Sequence, residues 1–318
     1  MFKKILVPLD GSTVAESALP HVATFVRIFG ARIQLLRVLS QGYTNLHPGP
    51  VGPLERNQQK FEAETYLEKV AERLRNSGLP VEQYVLEGEA GQVIVEFARS
   101  HGDDLIVLSR HGKGGLSVWN VNSVIHRVLQ RSYRSLLILP ARFDYRVNLA
   151  SLRYQRLLVP LDGSQRSEWS LSLADQLARS QNAQVILAHV VKKEPIDRFT
   201  IPSQEDLELA AKLAEQRYQE ASRYLGELQS RFSSGYHTVL EISENISSTL
   251  HRIAATNQAD LVLLCAHGYS ASSAWPYGSV TASFIQYFNR PVLILQDLPL
   301  RNLAASASET ENLELPKG

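Results

Sequence analysis

With one cysteine, Cys265, in 318 residues, the chain has no material for an intramolecular disulfide framework or a thiolate zinc cluster, and it suits a reducing compartment such as the cytoplasm. The nine histidines show no His-x-x-x-His spacing, so no zinc site is expected. Net charge is nearly absent, with 33 Lys and Arg against 32 Asp and Glu, which leaves no field to draw nucleic acid or an anionic membrane surface. No run approaches about 18 uninterrupted apolar residues, and Met1-Phe2-Lys3-Lys4 leads into no apolar signal region, so neither a membrane span nor an export signal is expected. A Gly-x-x-x-x-Gly-Lys-Ser/Thr loop, a strand-linked Gly-x-Gly-x-x-Gly and a nucleophile elbow are also missing. Their absence argues against a Walker-type NTPase, a Rossmann dinucleotide site for NAD or flavin, and an α/β-hydrolase.

What is present is ordinary globular composition, 44% hydrophobic and 20% charged, arranged as a repeat. Val7-Pro8-Leu9-Asp10-Gly11-Ser12 returns letter for letter 152 positions later as Val159-Pro160-Leu161-Asp162-Gly163-Ser164. Asp104-Leu105-Ile106-Val107-Leu108-Ser109-Arg110-His111-Gly112 is echoed 156 positions later by Asp260-Leu261-Val262-Leu263-Leu264-Cys265-Ala266-His267-Gly268. Two domains are therefore expected, 1–141 and 154–297, joined through Ala141 to Arg153 and followed by a small, polar, flexible tail over 298–318.

Within each copy, short apolar runs alternate with helix-period segments, the pattern of parallel strands joined by crossover helices. In the first copy the strands are Lys4 to Leu9, Ile33 to Val38, Val81 to Leu86, Asp104 to Leu108 and Leu136 to Leu139. The helices are one from Ser12 to near Gly30, a long one from Leu54 to Asn76, one from Gln92 to Arg99 and one from Ser123 to Arg131. The second long helix, Gln204 to Ser230, is predicted to turn Ala214, Tyr218, Ala221, Leu225 and Leu228 inward. The fold class is α/β: two tandem doubly wound domains, each a five-stranded parallel sheet with helices on both faces.

Ligands of such sheets sit beyond the carboxyl ends of the strands, where strand order reverses. The first strand of each copy delivers Pro8-Leu9-Asp10 or Pro160-Leu161-Asp162 to that rim, and the fourth delivers Ser109 to Gly112 or Cys265 to Gly268. Nine residues follow in each copy before Asn122-Ser123 or Gly278-Ser279 opens a helix, and a helix start of this kind presents backbone N–H groups to an anion.

These motifs resemble the universal stress protein (UspA-like) family, whose nucleotide-binding members carry Gly, two residues, Gly, nine residues and Gly-Ser/Thr. The resemblance covers nearly the whole chain as a tandem pair. It implies an adenine nucleotide alpha hydrolase-like, Rossmann-like fold and a cytoplasmic stress sensor that binds ATP or AMP with Mg²⁺ and has little or no turnover. The strand-one Asp and the end of strand two would hold ribose and adenine, which falls on Asp10 and Val38 or Asp162 and Val190. The phosphates would fall to Gly112 and Ser123 or Gly268 and Ser279. In this family the last strands commonly pair across a two-fold axis, so Leu136 to Leu139 and Val292 to Leu295 would join the copies as an internal pseudo-dimer, with a homodimer left open.

Both copies depart from the pattern: Ser109 and Cys265 replace the first Gly, and Asn122 replaces the third in copy one. If these positions require positive φ, each side chain costs about 1–2 kcal/mol, against about 1.5–3 kcal/mol for each charge-assisted bond to phosphate. Charge ranks the copies the other way, since Arg110 and Lys113 flank the first turn and no basic residue lies in Tyr269 to Tyr277. Simpler readings stand beside these. Asp10 and Asp162 are also natural turn formers, Ser123 and Ser279 natural helix caps, His111 and His267 structural groups rather than catalysts, and Cys265 a buried filler rather than a redox thiol. Trp119 and Trp275 occupy matching loop positions and suit packing. The alternative to a nucleotide sensor is a scaffold of the same fold whose altered turns have closed both sites.

Overall fold

In a computed structural model of the chain, the residues described are 1–40, 52–110, 124–140, 148–193, 203–232, 235–268 and 277–296. His111, Gly112, Lys113, Trp119, Asn122, Ser123, Trp275 and the tail expected over 298–318 lie outside them.

The apolar runs form the strands anticipated: β1 (Lys4–Pro8), β2 (Arg32–Leu39), β3 (Val81–Glu87), β4 (Leu105–Ser109) and β5 (Ser135–Leu139), then β6 (Arg156–Pro160), β7 (Gln184–Lys192), β8 (Tyr236–Ser243), β9 (Leu261–Cys265) and β10 (Val292–Leu295). They make one ten-stranded sheet in the order β3-β2-β1-β4-β5-β10-β9-β6-β7-β8. Each half is parallel, and strand order reverses between β1 and β4 and again between β6 and β9. The halves meet antiparallel, with Val292 opposite Ile138, Leu293 opposite Leu137 and Ile294 opposite Leu136. These seam residues are fully or almost fully buried, so the apolar layer on each face of the sheet runs through both copies. Joining β5 to β10 also removes two apolar edges that would otherwise invite aggregation.

One acidic residue ties together the amino ends of the two strands that flank each switch point. Asp104 accepts the backbone N–H groups of Lys3 (2.7 Å) and Lys4 (3.1 Å), and Asp260 does the same for Gln155 (2.7 Å) and Arg156 (3.1 Å). The first strand of each copy is thereby tied to the start of its fourth.

The first helix differs between the copies. Copy two has a continuous α6 (Gln165–Gln181), whereas copy one is divided into α1 (Thr13–Glu16) and α2 (Leu19–Phe29). Pro20 sits in the first turn of α2 where copy two has Ser172, and a proline in mid-helix removes an N–H and clashes with the preceding turn. Both versions end on a left-handed residue, Gly30 at φ 65° and Asn182 at φ 54°. Asn182→Ala is therefore expected to lower stability by about 1 kcal/mol and Asn182→Gly to change it little, as read from urea unfolding midpoints.

The long helices are α3 (Pro53–Asn76) and α7 (Gln204–Arg231). Ala63, Leu67, Val70, Ala71 and Leu74 pack α3 onto the sheet. In α7 only Ala221, Leu225 and Leu228 are buried, while Ala214 and Tyr218 are partly exposed. The apolar periodicity runs on toward the N-terminus past the point where the sheet lies beneath it. The remaining helices are α4 (Ala90–His101), α5 (Val124–Arg131), α8 (Ile246–Thr256) and α9 (Ser279–Tyr287). No described helix is long and apolar enough to cross a membrane.

Residues 148–155 bring the chain from copy one to copy two across α2. Arg27 donates to the Leu149 carbonyl (2.7 Å), Thr24 to that of Leu152 (3.1 Å), and His21 Nδ1 lies 2.6 Å from the Tyr154 hydroxyl.

Candidate nucleotide site

The repeated Asp-Gly-Ser builds the rim by local chemistry. Beyond β6 the Leu161 N–H bonds the Ala188 carbonyl (2.8 Å), and Gly163, at φ 82°, reverses the chain. Asp162 Oδ1 then accepts the Ser164 N–H (3.0 Å) and hydroxyl (2.6 Å), while Ser164 Oγ caps α6 by accepting the Ser167 N–H (3.2 Å). Copy one repeats each part: Leu9 to Leu36 (2.8 Å), Gly11 at φ 75°, Asp10 to Ser12 (2.9 and 2.5 Å), and Ser12 to Ala15 (3.1 Å). Both aspartates are thus turn formers, and each is held at the switch point by its serine.

Copy two brings its rim residues together. A Cβ on Gly268 would stand 2.1 Å from Asp162 Oδ2, so the carboxylate lies directly against the glycine. The Gly278 N–H donates to the Ala266 carbonyl (2.8 Å), and Thr281 Oγ1 to that of Cys265 (2.9 Å), which seats the start of α9 on the turn after β9. Val190 lines the neighbouring strand end, Pro160 closes β6, and His267 is buried within the turn.

The cost first assigned to the glycine replacements is corrected by the backbone. Gly268 and Gly278 are absent from the left-handed conformations seen among the described residues, and Gly278 has φ −66°. Ser109 and Cys265 are the last residues of strands. Positive φ is therefore not required at Ser109, at Cys265 or at Gly278, while Asn122 lies outside the described residues. Ser109 Oγ donates to the Val14 carbonyl (3.0 Å) and Cys265 Sγ to that of Arg166 (2.8 Å), two residues in matching places of the repeat. Both side chains fill the space between the strand end and the first helical turn. The Cys265 thiol is buried there, in keeping with a filler.

Arg110 is also reassigned. Its guanidinium does not extend over the copy-one rim; it crosses the seam and donates to the carbonyls of Gln286 (2.8 Å), Ile285 (3.3 Å) and Phe288 at the end of α9. The charge advantage read for copy one loses this residue.

Further residues of the site carry no family motif but do repeat. Arg37 Nη1 donates to the Leu9 carbonyl (3.2 Å), and at the matching position His189 lies beside Leu161 and Asp162, its pKa held down by burial. Glu16 accepts from Tyr66 (3.2 Å) and Arg73 (2.9 Å), and the corresponding Glu168 faces Tyr224 and Arg231, the latter at 4.0 Å. Burial, reinforced by these carboxylates, pushes both phenols up, so each tyrosine stays protonated beside the rim. Reading Glu16, Arg37, Tyr66 and Arg73 against Glu168, His189, Tyr224 and Arg231 would have exposed the set, since only one of the four pairs changes type. Among the described residues no group of three His, Cys, Asp or Glu side chains is placed to hold a metal ion.

The sequence profile of the universal stress protein family matches residues 1–140 and again 153–296. The chain belongs to the universal stress protein family. It is similar to universal stress protein MJ0577 of Methanocaldococcus jannaschii, with 29% identity over 43% of this chain and 94% of that protein. Universal stress protein YxiE of Bacillus subtilis is similar at 30% identity over 43% of this chain and 99% of its own length. Each of these universal stress proteins has about the length of one copy. In fold, the tandem chain is similar to a crystal structure of a universal stress protein from Archaeoglobus fulgidus, with TM-score 0.64 and 17% identity over 92% of this chain and 96% of that one.

Proposed function

We propose that this universal stress protein is a stress-response sensor that binds an adenine nucleotide, ATP or AMP, and acts through occupancy rather than turnover, with copy two as the working site. The observation that carries this reading is the contact of Asp162 with Gly268 beside the start of α9. It sets a carboxylate, suited to ribose hydroxyls, next to first-turn N–H groups suited to phosphate. The backbone at Val190 would meet the base, and Gly268, Gly278 and Ser279 the phosphates. Room at Gly278 suits a close approach, because a Cβ there would come no nearer than 3.8 Å to any described atom beyond its chain neighbours. A Mg²⁺ ion arriving with the nucleotide would offset phosphate charge, its ligands coming mainly from the phosphates themselves.

The test is to denature the purified protein with heat, identify any released small molecule, and titrate the stripped chain with MgATP by calorimetry. Bound adenine nucleotide, or micromolar affinity lowered at least tenfold by Asp162→Ala and left within twofold by Asp10→Ala, is the expected result. No heat up to millimolar nucleotide would overturn the reading and favour the scaffold, whose supporting observation is that Ser109 and Cys265 fill the first-glycine position in both copies.

A further inference from the structure

Helix α9 is secured at both ends, and by different copies. Its N-terminal end rests on copy two's own turn through Gly278 to Ala266 and Thr281 to Cys265. Its middle is clamped by burial of Phe284, on which the His251 ring stacks at 4.2 Å, and by His251 Nε2 at 3.0 Å from the Ser283 hydroxyl. Its C-terminal end is held from copy one. Arg110 continues the sheet through its own N–H, which bonds the Leu139 carbonyl of β5 (2.8 Å), and sends its guanidinium across the seam to three carbonyls at the end of α9. The carbonyls of Ile285 and Gln286 lie in the last turn, have no partner within the helix and form the negative end of its dipole, and that of Phe288 belongs to the C-cap just beyond. A cationic cap there stabilises the helix and fixes its axial position. The arrangement is one-sided, because copy two has Ala266 where copy one has Arg110, and a methyl group cannot reach the end of α5.

We propose that Arg110 is a positioning residue for the copy-two nucleotide site: from the rim of copy one it sets the position of α9, whose other end addresses the nucleotide's phosphates. A helix of nine residues is about 13 Å long, so a shift at one end reaches the other as a rigid displacement. Arg110 is the one residue of copy one whose side chain donates to the end of α9 among the described residues, so its removal is the direct probe of this link. This inference rests on the nucleotide reading above, and its test has an arm independent of that reading.

In the full-length chain, Arg110→Ala is expected to weaken MgATP about tenfold while adenosine, which has no phosphate, stays within twofold; Arg110→Lys recovers part of the loss. Hydrogen exchange is expected to accelerate at least tenfold across α9, at Phe284 to Phe288 and also at Ser279 to Ala282. Equal loss of both ligands, or unchanged MgATP affinity, would overturn the proposal, since a purely structural role of Arg110 lowers stability without separating phosphate from nucleoside. Should the parent chain bind no nucleotide, the functional reading fails and exchange decides alone. Acceleration reaching Ser279 to Ala282 sustains the positioning role, and acceleration confined to the last turn removes it.

Discussion

Gly268→Val is expected to lower nucleotide affinity about a hundredfold or more while the chain stays folded. The first side-chain carbon would lie 2.1 Å from Asp162 Oδ2 and 3.2 Å from its Cγ, so the carboxylate must leave its place. That place is defined by two bonds from Ser164, and a displaced Asp162 would lose the ribose contact proposed for it. Two charge-assisted hydrogen bonds forgone amount to about 3 kcal/mol, or two powers of ten in affinity. The backbone has no part in this effect, since Gly268 is not left-handed. Gly278→Ala is the control: its Cβ makes only ordinary contacts with the protein, so any loss of affinity reports the crowding of a phosphate. Calorimetric titration with MgATP, alongside circular dichroism melts, checks both. A Gly268→Val chain that kept the parent affinity would remove copy two as the site.

The second large effect is in the pH dependence of stability, where two buried groups of copy one act in opposite directions. Asp103 is fully buried, its carboxyl oxygens have no hydrogen-bond partner among the described residues, and burial pushes its pKa up to about 7. Between its ordinary value of 3.8 and about 7 the folded chain holds a proton that the unfolded chain has lost, so stability falls as pH rises through this window. His21 is buried as well, and its pKa is lowered from 6.5 to about 3. The unfolded chain takes up that proton first, so stability falls as pH drops through this second window. Copy two has already dispensed with both groups, carrying Ala259 and Leu173 at the matching positions. Asp103→Ala is expected to raise stability at pH 8 by about 1–3 kcal/mol, the cost of an unsatisfied buried polar group, and to change it much less at pH 4. His21→Leu is expected to blunt the loss below pH 6. Urea unfolding midpoints from pH 4 to 8 measure both, and a Asp103→Ala profile parallel to that of the parent would refute the assignment.

Much of this was legible in the residues. The Asp-Gly-Ser and His-Gly repeats lie at strand ends, where local turn chemistry dictates both sequence and shape, and the apolar runs between them admit few structures other than buried parallel strands. What stayed hidden depends on contacts distant in sequence. Arg110 reads as a phosphate ligand because it adjoins a glycine turn, yet its acceptors are backbone carbonyls some 175 residues away, and a carbonyl leaves no signature in sequence. The inward stripe of α7 overran its support because periodicity records a helix face but not where the neighbouring surface ends. The break between α1 and α2 has a local signal in Pro20, which lies inside the apolar spacing of Leu19, Val22, Ala23 and Val26 that by itself suits one continuous helix.

The antiparallel seam between β5 and β10 has a further consequence. Two separate chains meeting through such an edge would associate according to their concentration, and dilution would part them. Here one connection of modest length holds the partners at an effective concentration in the millimolar range or above. Pairing of the halves is therefore insensitive to how much protein the cell makes, and the seam holds equally well in a scarce molecule and an abundant one.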